Sequence, residues 1–240
     1  MDEQDWSSQK AWMKVVPEEE RALYRQSGFG ERQPFGNVPV LIVIDVTLAF
    51  TGSKHQPVAD AIREYPTACG EVAWESLPRI ARLLKLFRDR SWPVVFTRND
   101  SLDQAFAGGA TKRVRSKPSP PSGQEFPAEI APLESEWVLE KAKASCFFAT
   151  PLSSYLQLQK VDTLVVCGVS TSGCVRASVV DACSHGYTTY LIDDCCFDRS
   201  HFAHCANLFD ISAKYASVVS LAELETVCLS INLSDNGDSI

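Results

Sequence analysis

The run Val40-Leu41-Ile42-Val43-Ile44 is apolar at every position and stops at a carboxylate, Asp45. A strand with one wet face alternates apolar and polar side chains. A run without alternation is a strand covered on both faces, the situation of a parallel sheet. Shorter apolar, β-branched runs recur at 92–98, 136–141, 161–167, 188–193 and 216–219. Segments with helical spacing lie between most of them. In residues 74–90, Leu77, Ile80, Ala81, Leu84 and Phe87 fall on one face, and similar stretches cover 150–159, 174–185 and 201–215. Alternating strands and helices specify parallel pairing, right-handed crossovers and helices on both faces. The predicted class is α/β: a three-layer α/β/α Rossmann-like fold with a central, mostly parallel six-stranded sheet.

A chain of 240 residues suits one such domain better than two small ones. Residues 37–230 are assigned to it. Residues 1–36 read as an N-terminal arm for oligomer contacts. Pro17-Glu18-Glu19-Glu20 starts a helix there, and Trp12, Leu23, Tyr24 and Phe29 give the arm apolar positions. Residues 231–240 are polar and read as a frayed tail. Two segments rich in glycine and proline, 51–72 and 99–132, read as loops, the second a long surface excursion.

Several function classes drop out early. The net charge is −7 and no basic run occurs, so no nucleic-acid surface is expected. No apolar run approaches the roughly 20 residues that cross a bilayer. The start, Met1-Asp2-Glu3-Gln4-Asp5, lacks the features of an export signal, which predicts a cytoplasmic protein without membrane contact. Nine cysteines is an odd number, and Cys146, Cys167 and Cys183 fall inside apolar stretches, so reduced thiols are expected. No CxxC pair occurs, and the four histidines do not combine with cysteines at zinc spacing. The glycine fingerprint of dinucleotide binding does not follow the first strand.

Three ionisable residues stand at the C-terminal ends of predicted strands: Asp45, Lys141 and Cys174. In a parallel sheet these ends share one rim, where ligands bind. Cys174 lies in Gly168-Val169-Ser170-Thr171-Ser172-Gly173-Cys174-Val175-Arg176, where a buried strand turns into a helix. The helix start supplies free N–H groups and positive potential, which favour a thiolate or an adjacent oxyanion. A nearby acid can take the thiol proton and a nearby ammonium can steady both anions.

These residues carry a resemblance. The chain is similar to the isochorismatase-like cysteine hydrolases, most of all to their N-carbamoylsarcosine amidohydrolase branch. Four blocks support it: Leu41 to Asp45 with Phe50; Lys141 with Ala144-Ser145-Cys146-Phe147-Phe148-Ala149-Thr150-Pro151-Leu152; Gly168 to Ala177; and Asp198-Arg199. They span residues 36 to 220.

The resemblance implies Asp45 as general acid and base, Lys141 as positioning cation and Cys174 as nucleophile. The backbone N–H groups of Ser170 and Cys174 would form the oxyanion hole, beside a cis peptide at Val169–Ser170. Arg199 would hold a substrate carboxylate, with a salt bridge to Asp193, Asp194 or Asp198 as its competing reading. Thr171 and Phe50 complete the expected substrate contacts, and Phe50 has a core place as its alternative. The implied activity is cleavage of a C–N bond in a small amide or carbamoyl compound through a thioester, releasing ammonia. No cofactor is required. Relatives that hold a metal use an Asp-x-His pattern, whereas His55 here stands alone, so no metal is expected. Cys146 departs from the alanine or glycine that is frequent in the family. A homo-oligomer, tetramer or dimer, is implied. The alternatives are an isochorismatase-type vinyl-ether hydrolase, or a non-catalytic or redox thiol protein pairing Cys174 with Cys146 or Cys195. Arg176 reads as a helix-surface ion pair, and His201 and His204 as surface residues on one helical face.

Overall fold

The computed structural model describes residues 10–99 and 120–234, with side chains through 230. Six strands form one sheet: β1 (Pro39–Ile44), β2 (Val94–Asn99), β3 (Trp137–Lys141), β4 (Thr163–Val169), β5 (Thr188–Phe197) and β6 (Ser217–Val219). Their spatial order is β3-β2-β1-β4-β5-β6, and every pairing is parallel. The sheet is thus wholly rather than mostly parallel. Every residue of β1 and of β4 is buried, as the unalternated runs require.

The helices are α1 (Glu18–Gln26), α2 (Leu48–Thr51), α3 (Val58–Glu64), α4 (Glu71–Asp89), α5 (Leu152–Leu158), α6 (Arg176–Ser184), α7 (His201–Lys214) and α8 (Leu221–Ser234). α4 packs on α8, and α6 packs on α7, so helical layers cover the sheet. Of the positions read as apolar from the sequence in α4, Leu77, Ile80, Leu84 and Phe87 are buried and Ala81 is partly buried.

Several boundaries differ from the sequence reading. Residues 51–72 include α3, which starts after Pro57 and carries Asp60 in its first turn. β5 continues past Asp193 to Phe197. α8 fills residues that the sequence reading left without structure. Of the 99–132 excursion, residues 100–119 lie outside the described residues, and the remainder holds two single turns, Pro121–Gln124 and Ala128–Ile130.

Part of the arm joins its own chain: Trp12 and Met13 are buried in the common core, whereas Leu23 and Phe29 are exposed. Trp12 donates its indole N–H to Asp193 at 2.8 Å, Lys10 donates to the Val218 carbonyl, and Arg32 pairs with Glu223.

Strand order reverses between β1 and β4, which are neighbours joined through six paired positions. That is the switch point at which an open α/β sheet leaves a crevice.

Candidate active site

The C-terminal ends of β1 and β4 bring their next residues side by side at the switch point. Gly168 makes this approach close. Its φ is +117°, and a Cβ there would stand 2.2 Å from the Ile44 carbonyl oxygen. Only glycine lets β4 run that tightly against the end of β1.

Asp45, one step beyond β1, has φ +53°. A non-glycine residue in that region costs on the order of 1 kcal/mol, and such positions gather at functional sites. Its side chain is fully buried and paired at both oxygens. Thr97 of β2 donates to Oδ1 at 2.7 Å, and Lys141 of β3 donates to Oδ2 at 2.7 Å. β3 lies two strands from β1, roughly 10 Å across the sheet. A lysine is long enough to span the end of β2 and reach the carboxylate. Its ammonium also donates to the Lys143 carbonyl.

Cys174 completes the group. β4 ends at Val169, the Val169–Ser170 peptide is cis, and residues Thr171–Val175 form one wide turn ahead of α6. The helix therefore begins two residues later than the sequence suggested. The Cys174 thiol lies near enough to Asp45 and Lys141 for both to act on its ionisation, and it is only 6% exposed. Burial pushes the thiol up to about 12; the Asp45 charge adds to this and the Lys141 charge opposes it. For Lys141, burial works against the ammonium, but the charge and hydrogen bond of Asp45, with Cys174 and Cys146, together outweigh it and raise the group above the ordinary lysine range. The resting arrangement is a carboxylate–ammonium pair beside a protonated sulfur.

The expected substrate contacts have the following surroundings. Thr171 is fully buried. Its hydroxyl meets the Phe197 carbonyl at 3.2 Å and His204 Nδ1 at 2.8 Å, behind the turn, and not the space in front of the sulfur. Phe50 is 8% exposed and belongs to the core. Arg199 is exposed and donates to the carbonyls of Pro66 and Thr67, at 3.4 and 2.7 Å, and not to Asp193, Asp194 or Asp198. Arg176 pairs with Asp210, as expected of it. His201 is exposed, but His204 is half-buried, and burial lowers its pKa.

A cavity of about 760 Å³ opens beside the end of β5, between α4, α7 and the arm. Trp12, Arg79, Asp194, Arg199 and His204 are among its walls, whereas Asp45, Lys141 and Cys174 are not. The group of three reactive side chains and the open cavity are therefore separate places; the first holds a buried ion pair that acts on the ionisation of a cysteine. Among the described residues, no three His, Cys, Asp or Glu side chains gather as a metal ion would need. All nine cysteines are free thiols.

Some supporting residues were not read from the sequence. Thr97 orients Asp45. Ser178 accepts from the Cys146 N–H and donates to the Cys174 carbonyl, tying the Lys141 loop to the nucleophile turn. Asp198 accepts from both the N–H and the hydroxyl of Ser172. The Asp198-Arg199 block carried a signal, but the weight fell on its arginine.

Residues 39–223 match the family model described as Isochorismatase domain, more than half of the chain. The chain belongs to the isochorismatase family. It is 40% identical over 201 residues to a maleamate amidohydrolase from Pseudomonas putida, covering 81% of this chain and 89% of that one. To an N-carbamoylsarcosine amidase from Arthrobacter sp it is 28% identical over 207 residues, covering 83% and 74%. Among solved structures, an isochorismatase family protein from Desulfovibrio vulgaris matches with a TM-score of 0.68 at 27% identity, covering 81% of this chain and all of that one. An N-carbamoylsarcosine amidase from Thermoplasma acidophilum matches the fold at 22% identity and TM-score 0.59, over 77% and 97% of the two chains. The protein is thus a hydrolase of this family, and no helix among the described residues is long and apolar enough to cross a membrane.

Proposed function

We propose that this isochorismatase-family hydrolase is a cysteine amidohydrolase acting on a small amide or carbamoyl compound that bears a carboxylate. The observation that carries the reading is the buried Asp45–Lys141 pair beside the Cys174 thiol, on whose ionisation both act. The likeness to a maleamate amidohydrolase and an N-carbamoylsarcosine amidase supports it.

Asp45 takes the Cys174 proton as sulfur attacks the carbonyl carbon, so free thiolate need not build up against the high pKa. The carbonyl oxygen becomes an oxyanion held by the Ser170 and Cys174 N–H groups. The tetrahedral adduct collapses, the C–N bond breaks, and Asp45 returns the proton to nitrogen, which leaves as ammonia. A thioester remains. Water then gives a proton to Asp45 and its hydroxide attacks the thioester. Sulfur leaves, recovers its proton, and the carboxylic acid departs. Lys141 keeps its charge throughout and holds Asp45 in place. The same reading includes a cytoplasmic, reduced setting and a homo-oligomer.

Ammonia release from maleamate and N-carbamoylsarcosine tests this. Wild-type protein is expected to release it from at least one, and Cys174→Ala to lose about 1,000-fold or more of that rate. Release unaffected by Cys174→Ala, or none from any small amide, overturns the reading.

A further inference from the structure

The nucleophile turn is held from behind by two side chains of the segment after β5. One is Asp198, on Ser172. The other is His204, from the first turn of α7, on Thr171. Neither touches Asp45 or Lys141 through any hydrogen bond among the described residues.

Proton counting defines the second contact. Thr171 has one hydroxyl proton and two partners, the Phe197 carbonyl and His204 Nδ1. A carbonyl can only accept. Both contacts are hydrogen bonds only if Thr171 gives its proton to Phe197 and His204 donates from Nδ1 to the Thr171 oxygen. The chain His204 to Thr171 to Phe197 then runs in one direction and ties α7 to the end of β5 through the residue that opens the turn. Thr171 is fully buried, so a lost donor there is not replaced by bulk water. Gly173, two residues on, has φ −121° and ψ −105°, outside helical geometry. The turn therefore does not hold Cys174 by regular helical hydrogen bonding alone.

We propose that His204 is a positioning residue for Cys174, acting through Thr171 to fix the turn that presents the sulfur to Asp45 and Lys141. This rests on the reading of Cys174 as nucleophile. The imidazole does not reach the reacting atoms. It sets where the sulfur stands, and a displacement of about 1 Å at such a centre costs as much as 100-fold.

The test uses iodoacetamide labelling of Cys174, followed by peptide mass mapping, alongside ammonia release from maleamate or N-carbamoylsarcosine. Labelling needs no knowledge of the substrate. His204→Leu is expected to slow labelling and kcat by about 10- to 100-fold with KM within about 3-fold. His204→Asn, which places an amide N–H where Nδ1–H stands, is expected to restore both to within about 3-fold of wild type. Thr171→Val, close in shape and without the hydroxyl, should match His204→Leu, and the double variant should be no slower than either. Labelling and turnover within about 2-fold of wild type in His204→Leu overturn the proposal. So does failure of His204→Asn to rescue, or additive losses in the double variant. A wild-type protein that releases no ammonia overturns the amidohydrolase reading instead, and the labelling series still decides the role of His204.

Discussion

At the scale of single residues the site is a problem of two buried charges beside a neutral thiol. Asp45 is fully buried and Lys141 is 1% exposed, so each is tolerable only because of the other. Lys141→Met should cost about 3–5 kcal/mol in urea unfolding, because it leaves the carboxylate without a partner. Adding Asp45→Asn should recover a large part of that loss. A double variant as unstable as the single would mean that the pair does not account for the cost. The thiol gives a second prediction. Its folded pKa is raised, so the neutral form prevails below that value. An ordinary thiol is half ionised at 9.0. The 240 nm absorbance of wild type minus Cys174→Ser should therefore show almost no thiolate at pH 9. A midpoint below 8 would contradict the burial argument. Asp45, Lys141 and Cys174 can be grouped from the sequence because each stands at or just after the C-terminal end of a strand, Cys174 on the turn that follows β4, and parallel strands share a rim. Thr97, Ser178 and His204 were not, because their partners exist only once register is set. Thr97 Oγ1 reaches Asp45 because β2 lies between β1 and β3, an order that no residue pattern states.

Elements bring these residues together, and two junctions decide how well. Gly168→Ala would drive a methyl into the Ile44 backbone, at a φ that suits glycine. The end of β4 must then move off β1, carrying the nucleophile turn away from Asp45. The expected loss is about 3 kcal/mol or more of stability, with turnover falling even in the folded fraction. Unchanged unfolding would place the close approach elsewhere. At the β6 edge of the sheet, Ser220 and Glu223 cap α8 reciprocally: the Glu223 N–H donates to the Ser220 hydroxyl, and the Ser220 N–H donates to the Glu223 carboxylate. This is a capping box written in the sequence as Ser220-Leu221-Ala222-Glu223, a readable signal for the helix that was missed. Burial raises Glu223, but Ser220, Lys10 and Arg32 outweigh it and hold the group at about 2. A depressed carboxyl stabilises the fold above its unfolded value, 4.5, and that stabilisation is lost as pH falls through 4.5 toward 2. Glu223 is 35% exposed, so solvent screening leaves about 1 kcal/mol of it. Glu223→Gln should lower the melting point at pH 7, and the gap should close by pH 2–3. A gap independent of pH would rule the charge out as the cause. The early end assigned to β5 has a plain cause. Asp193-Asp194 looks like a loop, yet Asp193 is satisfied by the Trp12 indole and Asp194 accepts the Leu221 N–H, so both acids remain in the strand.

For the whole molecule, the question is whether the arm belongs to this chain's own core. The sequence offered Trp12 as an apolar position without a partner, and an oligomer contact was the natural assignment. The folded chain gives it an internal one. Trp12 is 5% exposed, packs in the continuous core, and donates to Asp193 from across 181 positions of sequence. Lys10 and Arg32 converge on Glu223 from either side of α1, so the described part of the arm, residues 10–36, is tied on both sides of that helix. A contact of such sequence separation is paid for in chain entropy, and it persists because a large aromatic surface leaves water. Trp12→Ala removes that surface and one partner of Asp193, which predicts a loss of about 3–5 kcal/mol. That is a large part of the 5–15 kcal/mol typical of a domain. Because Trp12 touches none of Asp45, Lys141 and Cys174, turnover well below the melting point should stay within about 2-fold of wild type. Unfolding at several protein concentrations decides between the two places for the arm. If it closes its own domain, the loss is the same at every concentration. If its work is to join subunits, the loss grows on dilution and the variant dissociates in sedimentation before it unfolds.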